Sequence, residues 1–250
     1  MREWIRDLTI TEKLYYYNSY QKKTTAKVLR VIKDRGKRAY IVLDKTIFHP
    51  LGGGQPSDTG FIKYGETIFE VRKALSREGI ILHYGAFKRK NDTFYENDKV
   101  SCQIDWNRRY LIMKLHTSGH ILDYAMAKFF GRLVETLGAL HGPPRAYLDY
   151  KISNPPEIDK VEKYVQEIID EDLPVNISFV NYKELAKHLH NAPNIDRIPH
   201  VEKYRIVSIP GVNSMPCTGT HVKRTGEIRK FKIREMEKIE NGWRIYYWIE

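Results

Sequence analysis

The sequence predicts an α+β fold of two domains, a small strand-rich one over residues 1–106 and a mixed one over residues 107–250. Three observations carry this expectation. Short strand patterns separated by turn residues run from Thr25 to about Asp105. Two longer stretches then place apolar residues at helical spacing. The chain finally returns to strands without a regular strand–helix–strand alternation, which argues against a doubly wound parallel sheet. A length of 250 residues also divides more naturally into two compact units than one.

In the first domain the expected strands are Ala26 to Ile32, Ala39 to Leu43, Phe61 to Tyr64, Thr67 to Val71, Ile80 to Tyr84 and Lys99 to Ile104. Asp34-Arg35-Gly36, Gly65-Glu66 and Glu78-Gly79 punctuate them. Such spacing favours a barrel over a sandwich. Cys102 alternates with Val100 and Ile104, so it reads as a small buried residue on a strand.

Asn107 is the expected N-cap of a helix from Arg108 to about Phe130, with Leu111, Leu115, Leu122, Met126 and Phe129 on one face and Gly131 ending it. A second helix is expected from about Pro155 to Asp170, opened by Asn154 and Pro155. Pro174 to Val180 reads as a strand, Asn181 to Glu184 as a capping box of a short helix, and Tyr204 to Ile209 as another strand. The tail reads as strands Glu227 to Ile239 and Trp243 to Trp248 around an Asn241-Gly242 hairpin turn.

Hydrophobic residues make up 42% and charged residues 29% of the chain, an ordinary globular balance. No apolar run approaches the roughly 20 residues of a membrane span. The opening seven residues carry no apolar signal segment, so a cytoplasmic location is expected. With two cysteines, both read as reduced. The net charge of +11 fits a polyphosphate partner, and it equally fits a heat-adapted surface of ion-pair networks.

Chemistry concentrates in two short segments. His116 and His120 stand four apart on the first helix, so both imidazoles can face one point. Cys217 and His221 repeat the spacing between two strands, and the four side chains match a zinc ligand set. One zinc ion per chain is therefore expected on His116, His120, Cys217 and His221. Thr117 stands where a zinc peptidase would carry its glutamate, which argues against that activity. The glycine-rich stretch from His49 to Gly60 has neither P-loop nor dinucleotide spacing, so no nucleotide cofactor is expected; by itself it reads as a tight structural loop.

With these motifs in view, the chain resembles the alanyl-tRNA editing proteins of the AlaX type, relatives of the editing domain of alanyl-tRNA synthetase. The resemblance rests on Gly52-Gly53-Gly54-Gln55 with Asp58-Thr59-Gly60, on the His116/His120 helix, and on Cys217 to His221 followed by Val222-Lys-Arg-Thr-Gly-Glu-Ile228, all in the family's order. It implies an N-terminal β-barrel like those of translation proteins, then an α+β editing domain of the type shared with threonyl-tRNA synthetases. It also implies hydrolysis of the ester linking a wrong amino acid, chiefly serine and also glycine, to alanine tRNA. The length resembles the family's mid-length members.

Carried over residue by residue, His116, His120, Cys217 and His221 match the family's metal ligands. Three ligands with an open position would be the arrangement of a catalytic zinc, and the sequence leaves open which of the four would be replaced. It also leaves open whether zinc activates a water or holds the substrate. The resemblance makes Gly53 and Gly54 candidate walls of the substrate pocket and Gln55 a catalytic candidate that orients water or substrate. Asp58 would fix the loop. Thr136 opens a segment, Thr136 to His141, that matches a loop sensing the amino acid side chain, and Thr136 is the candidate contact to serine's hydroxyl. Two departures stand out: Gly119 precedes His120, costing about 1 kcal/mol of helix stability or leaving room for substrate, and His49-Pro50-Leu51 replaces a tyrosine-containing segment. Two alternatives remain: a noncatalytic, zinc-braced tRNA-binding protein, and a deacylase for another mischarged tRNA.

Overall fold

The structure is a computed structural model that describes residues 4–250; residues 1–3, part of the opening segment read for a signal peptide, lie outside it. The chain divides into two compact units, one of residues 1–52 and 56–110, the other of residues 53–55 and 111–250.

The first unit contains β1 (Glu12–Lys13), β2 (Lys23–Lys33), β3 (Arg38–Leu43), β4 (Lys45–Thr46), β5 (Gly60–Tyr64), β6 (Thr67–Arg77), β7 (Ile80–Phe87) and β8 (Lys99–Ile104). Six of them close a barrel in the order β2-β3-β7-β6-β5-β8, with β8 returning to β2. Closure removes the unpaired edges that an open sheet would leave. The expected strands are all present, and β2, β6 and β7 run longer than the sequence pattern shows. In β8 the period of two turns Val100, Cys102 and Ile104 inward, against Val28, Ile41, Ile62 and Phe69. Cys102 is fully buried there, and burial pushes its thiol up to about 12. A neutral thiol in that setting is a packing group.

Helix α1 spans Trp106–Phe130, its first five residues falling in the barrel unit. Asp105, not Asn107, caps it: the Asp105 carboxylate accepts from Arg108 N at 3.1 Å and its carbonyl from Arg109 N at 3.0 Å. Asn107 lies within the first turn. A buried ion pair joins Arg109 to Asp58, whose carboxylate also accepts from His49 N. Arg109 further donates to the carbonyls of Ser19 and Ile47, so the paired charges keep their hydrogen bonds inside the protein. Asp58 thus fixes the chain from His49 to Asp58, as the sequence suggested.

The second unit is α+β. Strands β9 (Thr136–Leu140) and β10 (Ala146–Tyr150) lead to helix α2 (Ile158–Asp170), then β11 (Asn176–Asn181), β12 (Lys203–Ile209), β13 (Asn213–Pro216), β14 (Phe231–Ile239) and β15 (Gly242–Ile249). One antiparallel sheet has the order β14-β15-β10-β9 and another β11-β12-β13. Leu115, Leu122 and Met126 of α1 share a core with Val161, Val165 and Ile168 of α2 and with Leu148, Phe231, Ile245 and Tyr247 of the larger sheet. The whole is the expected α+β fold with an N-terminal barrel.

Several boundaries differ from the sequence reading for local reasons. Helix α2 begins at Ile158, because Pro155 and Pro156 hold the preceding residues away from helical angles, and Asn154 does not cap it. Tyr182–His188 form a 3-10 helix without a side-chain cap from Asn181. Thr225–Ile228 form a 3-10 turn, not a strand, because Glu227 Oε1 accepts from the backbone N–H groups of Lys223 and Arg224. The last hairpin pairs Ile239 with Gly242, so Glu240 and Asn241 form its loop.

Candidate metal centre

Every residue of the centre belongs to the second unit. One turn of α1 separates His116 from His120, and the chain after β13 brings Cys217 and His221 to the same point. The four potential ligand atoms lie within 4.8 Å of one another. Cys217 Sγ is 3.6 Å from His116 Nε2 and 3.3 Å from His221 Nε2. Zinc bonds of about 2.3 Å to sulfur and about 2.0 Å to nitrogen give tetrahedral edges of about 3.5 Å. The donor set therefore suits a metal ion in its chemistry, and the two sulfur–nitrogen distances match such edges.

The other ring nitrogens show why these histidines face inward. His116 Nδ1 lies 2.9 Å from Gln55 Oε1, which also accepts from Thr220 N at 2.8 Å, while Gln55 Nε2 donates to Thr220 Oγ1 at 2.9 Å. His221 Nδ1 lies 3.2 Å from Thr117 Oγ1. That hydroxyl donates to Met113 O, four residues back on the helix, and so accepts from His221 and from Val222 N. His120 Nδ1 faces the side-chain amide of Asn213, 3.2 Å from its Nδ2 and 3.3 Å from its Oδ1; Nδ2 donates to Met215 Sδ at 3.6 Å, which leaves Oδ1 to accept. Each Nδ1–H thus has a protein acceptor, leaving each Nε2 lone pair for a metal, the supporting arrangement typical of histidine ligands.

Burial brings His120 down to about 4, keeping it neutral as a ligand must be. Burial pushes the Cys217 thiol up, while the Arg205 guanidinium beside it pulls the other way. Arg205 also donates to the Cys217 carbonyl.

A further histidine, His141, completes the cluster. Its ring stacks on that of His116 with centroids 4.4 Å apart and planes 10° from parallel. His141 N donates to Gly54 O at 2.8 Å, and its Nδ1 lies 2.7 Å from Tyr247 Oη, which donates to Leu115 O at 3.1 Å. Burial brings His141 down to about 3. The glycines around the centre answer to these rings. A Cβ on Gly119 would come 2.5 Å from His141 Cε1, so the space beside His120 is occupied by a protein ring and not kept open for substrate. A Cβ on Gly219 would meet His116 Cε1 at 2.1 Å.

Of the residues carried from the sequence, the four candidate ligands and Gln55 come together. Gly53 and Gly54 have φ of 57° and 71°, which glycine adopts without strain. Gly53 lies near Thr218 and Gly54 packs on Ala139 and His141. Thr136 starts β9, a strand where the sequence showed only a loop. Its hydroxyl bonds to Asp123 at 3.4 Å and its carbonyl accepts from Asn194 and Arg197, so its hydrogen bonds do not reach the four ligands. The sequence reading missed Thr117 as a support, along with Asn213, Thr220 and Tyr247, and it held His141 only as the last residue of the Thr136 to His141 segment. Thr117 and Thr220 lie inside the two ligand segments, a signal that was there to use; His141 and Tyr247 carry no spacing signal.

A family described as class II (A) tRNA synthetases matches residues 2–108, and the second additional domain of threonyl and alanyl tRNA synthetases matches residues 204–246. The chain is 36% identical over 244 residues to the alanyl-tRNA editing protein AlaX-L of Pyrococcus horikoshii, covering 95% of this chain and 58% of that protein. It is 33% identical to the alanine–tRNA ligase of Methanobrevibacter smithii and 36% identical to that of Sulfurisphaera tokodaii, each covering 94% of this chain and 26% of the ligase. The chain thus spans little more than half of the editing protein and about a quarter of the ligases. With its barrel and its α+β unit, it is similar over nearly all of its own length to part of an alanyl-tRNA editing protein and part of alanine–tRNA ligases.

Proposed function

We propose that the chain is a zinc-dependent hydrolase that removes wrong amino acids from alanine tRNA, chiefly serine and secondarily glycine, by cleaving the aminoacyl ester in trans. The observation that carries this reading is the gathering of three imidazole Nε2 atoms and one thiol, each imidazole held from behind by its own acceptor. Its support from relatives is the likeness to a protein named for alanyl-tRNA editing. In this reading residues 1–106 are the barrel domain, residues 107–250 the editing domain, and the protein works in the cytoplasm on tRNA.

His116, His120, Cys217 and His221 would hold the zinc. When bound, zinc supplies positive charge to stabilise negative charge developing on the ester or on an attacking water. Gln55 acts through His116: with both its amide groups engaged, it fixes the ring's tautomer and direction. Gly53 and Gly54 line the substrate side of the loop, and Thr136 contacts the aminoacyl group. Serine and alanine differ by one hydroxyl, so strong discrimination requires a polar partner for it.

The test is deacylation of Ser-, Gly- and Ala-tRNA(Ala) by the purified protein, with His116→Ala checked for folding and metal content. Zinc-dependent loss of serine with alanine spared is the expected result. A folded, zinc-loaded protein that hydrolyses none of the three would overturn the enzymatic reading. Hydrolysis confined to another mischarged tRNA would overturn the alanine assignment.

A further inference from the structure

We infer that His141 is a specificity-determining residue whose Nε2 accepts a hydrogen bond from the side-chain hydroxyl of the misplaced serine. The inference rests on the editing reading above and adds a residue that the two ligand segments do not contain.

The tautomer follows from the contacts. Tyrosine has one hydroxyl proton, and Tyr247 gives it to Leu115 O at 3.1 Å. The 2.7 Å contact between Tyr247 Oη and His141 Nδ1 is then a hydrogen bond only if Nδ1 carries the proton. Nε2 is left with a lone pair. Among the described residues His141 Nε2 makes no hydrogen bond, although the ring is buried. That nitrogen is not one of the buried atoms left without a partner, so this edge of the ring reaches solvent and is open to a donor that enters there.

The ring's setting gives that acceptor its role. It stacks on the ligand His116, and its Nε2 lies 3.2 Å from where a Cβ on Gly54 would stand, in the loop assigned to the pocket wall. Stacking, the Tyr247 bond and the backbone bond to Gly54 O hold the ring in one orientation. A fixed neutral acceptor rewards a hydroxyl that donates to it and is left unpaired by alanine or glycine, so it separates serine from both. The α-ammonium is common to all three amino acids and would give no such separation. Thr136 is less suited to the task, because its hydroxyl is already joined to Asp123 and its carbonyl to Asn194 and Arg197.

The test uses zinc-loaded protein and alanine tRNA carrying serine, alanine or glycine through a non-hydrolysable 3′-amide. Wild-type protein should bind the seryl form most tightly. His141→Phe, which keeps a stacking ring, should lose about tenfold of that preference by weakening seryl binding alone. His141→Gln, whose amide oxygen can reach the Nε2 position, should restore part of it. Nitrogen-15 NMR of histidine-labelled protein should show His141 protonated at Nδ1. Full serine preference in a folded His141→Phe protein, equal weakening of all three forms, or an Nε2–H tautomer would each overturn the inference. Failure of wild-type protein to bind any of the three would overturn it together with the editing reading, so the two failures are told apart.

Discussion

Thr117 occupies one helical position with three duties: it returns its proton to Met113 O, accepts from His221 Nδ1 and accepts from Val222 N. Thr117→Val keeps the shape and removes the hydroxyl. It should lower zinc affinity by about 10- to 100-fold, measured by competition with a chelator; unchanged affinity would show that His221 needs no such support. Asp123 offers a test by pH. Burial raises its carboxyl from 3.8 to about 7, with Tyr150 Oη bonded to it at 2.8 Å. The folded protein then holds a proton that the unfolded chain releases near pH 4, so this stabilising contribution is complete below about pH 4 and is lost as pH rises toward 7. Asp123→Asn should flatten that decline in urea-unfolding stability between pH 5 and pH 8. His83, in the barrel, runs the other way: burial lowers it to about 4, so its contribution is lost as pH falls below about 6.5.

Elements were legible wherever periodicity was strong. The barrel strands and α1 follow from alternation and helical spacing, and the two ligand pairs sit where their spacing placed them. Strand β9 was hidden because Gly138 and Ala139 give it no apolar alternation and every one of its residues is half-buried. The start of α1 was misplaced by two residues because Asp105 and Asn107 are both capable caps, and only the hydrogen bonds decide between them. His141 was legible only as the end of the Thr136 to His141 segment; its place beside the ligands was hidden, since its neighbours His116 and Tyr247 are distant in sequence. The helix makes its own prediction through Gly119. Gly119→Ala would ordinarily stabilise a helix by about 1 kcal/mol. Here the new methyl would strike the His141 ring, so the variant should instead lower the melting temperature and displace His141. A gain in stability would show that the ring can move aside at little cost.

At the scale of the molecule, the proposed function together with the charge of +11 predicts a salt-sensitive hold on tRNA. If about six phosphates are contacted, affinity should fall by about a thousandfold between 50 and 200 mM salt in filter-binding measurements; a flat response would remove charge from the account of recognition. The placement of residues 53–55 bears on how this protein can be divided. They precede α1 by some fifty residues, yet they group with the unit that follows it, where Gln55 serves His116 and Thr220. No single cut therefore separates barrel from metal centre without loss. A fragment of residues 107–250 would leave His116 Nδ1–H and Thr220 N–H without their acceptor, and should hold zinc more weakly than the intact chain. The unit that bears the chemistry is continuous in space and discontinuous along the chain, so recombination could not move it as one uninterrupted stretch of gene.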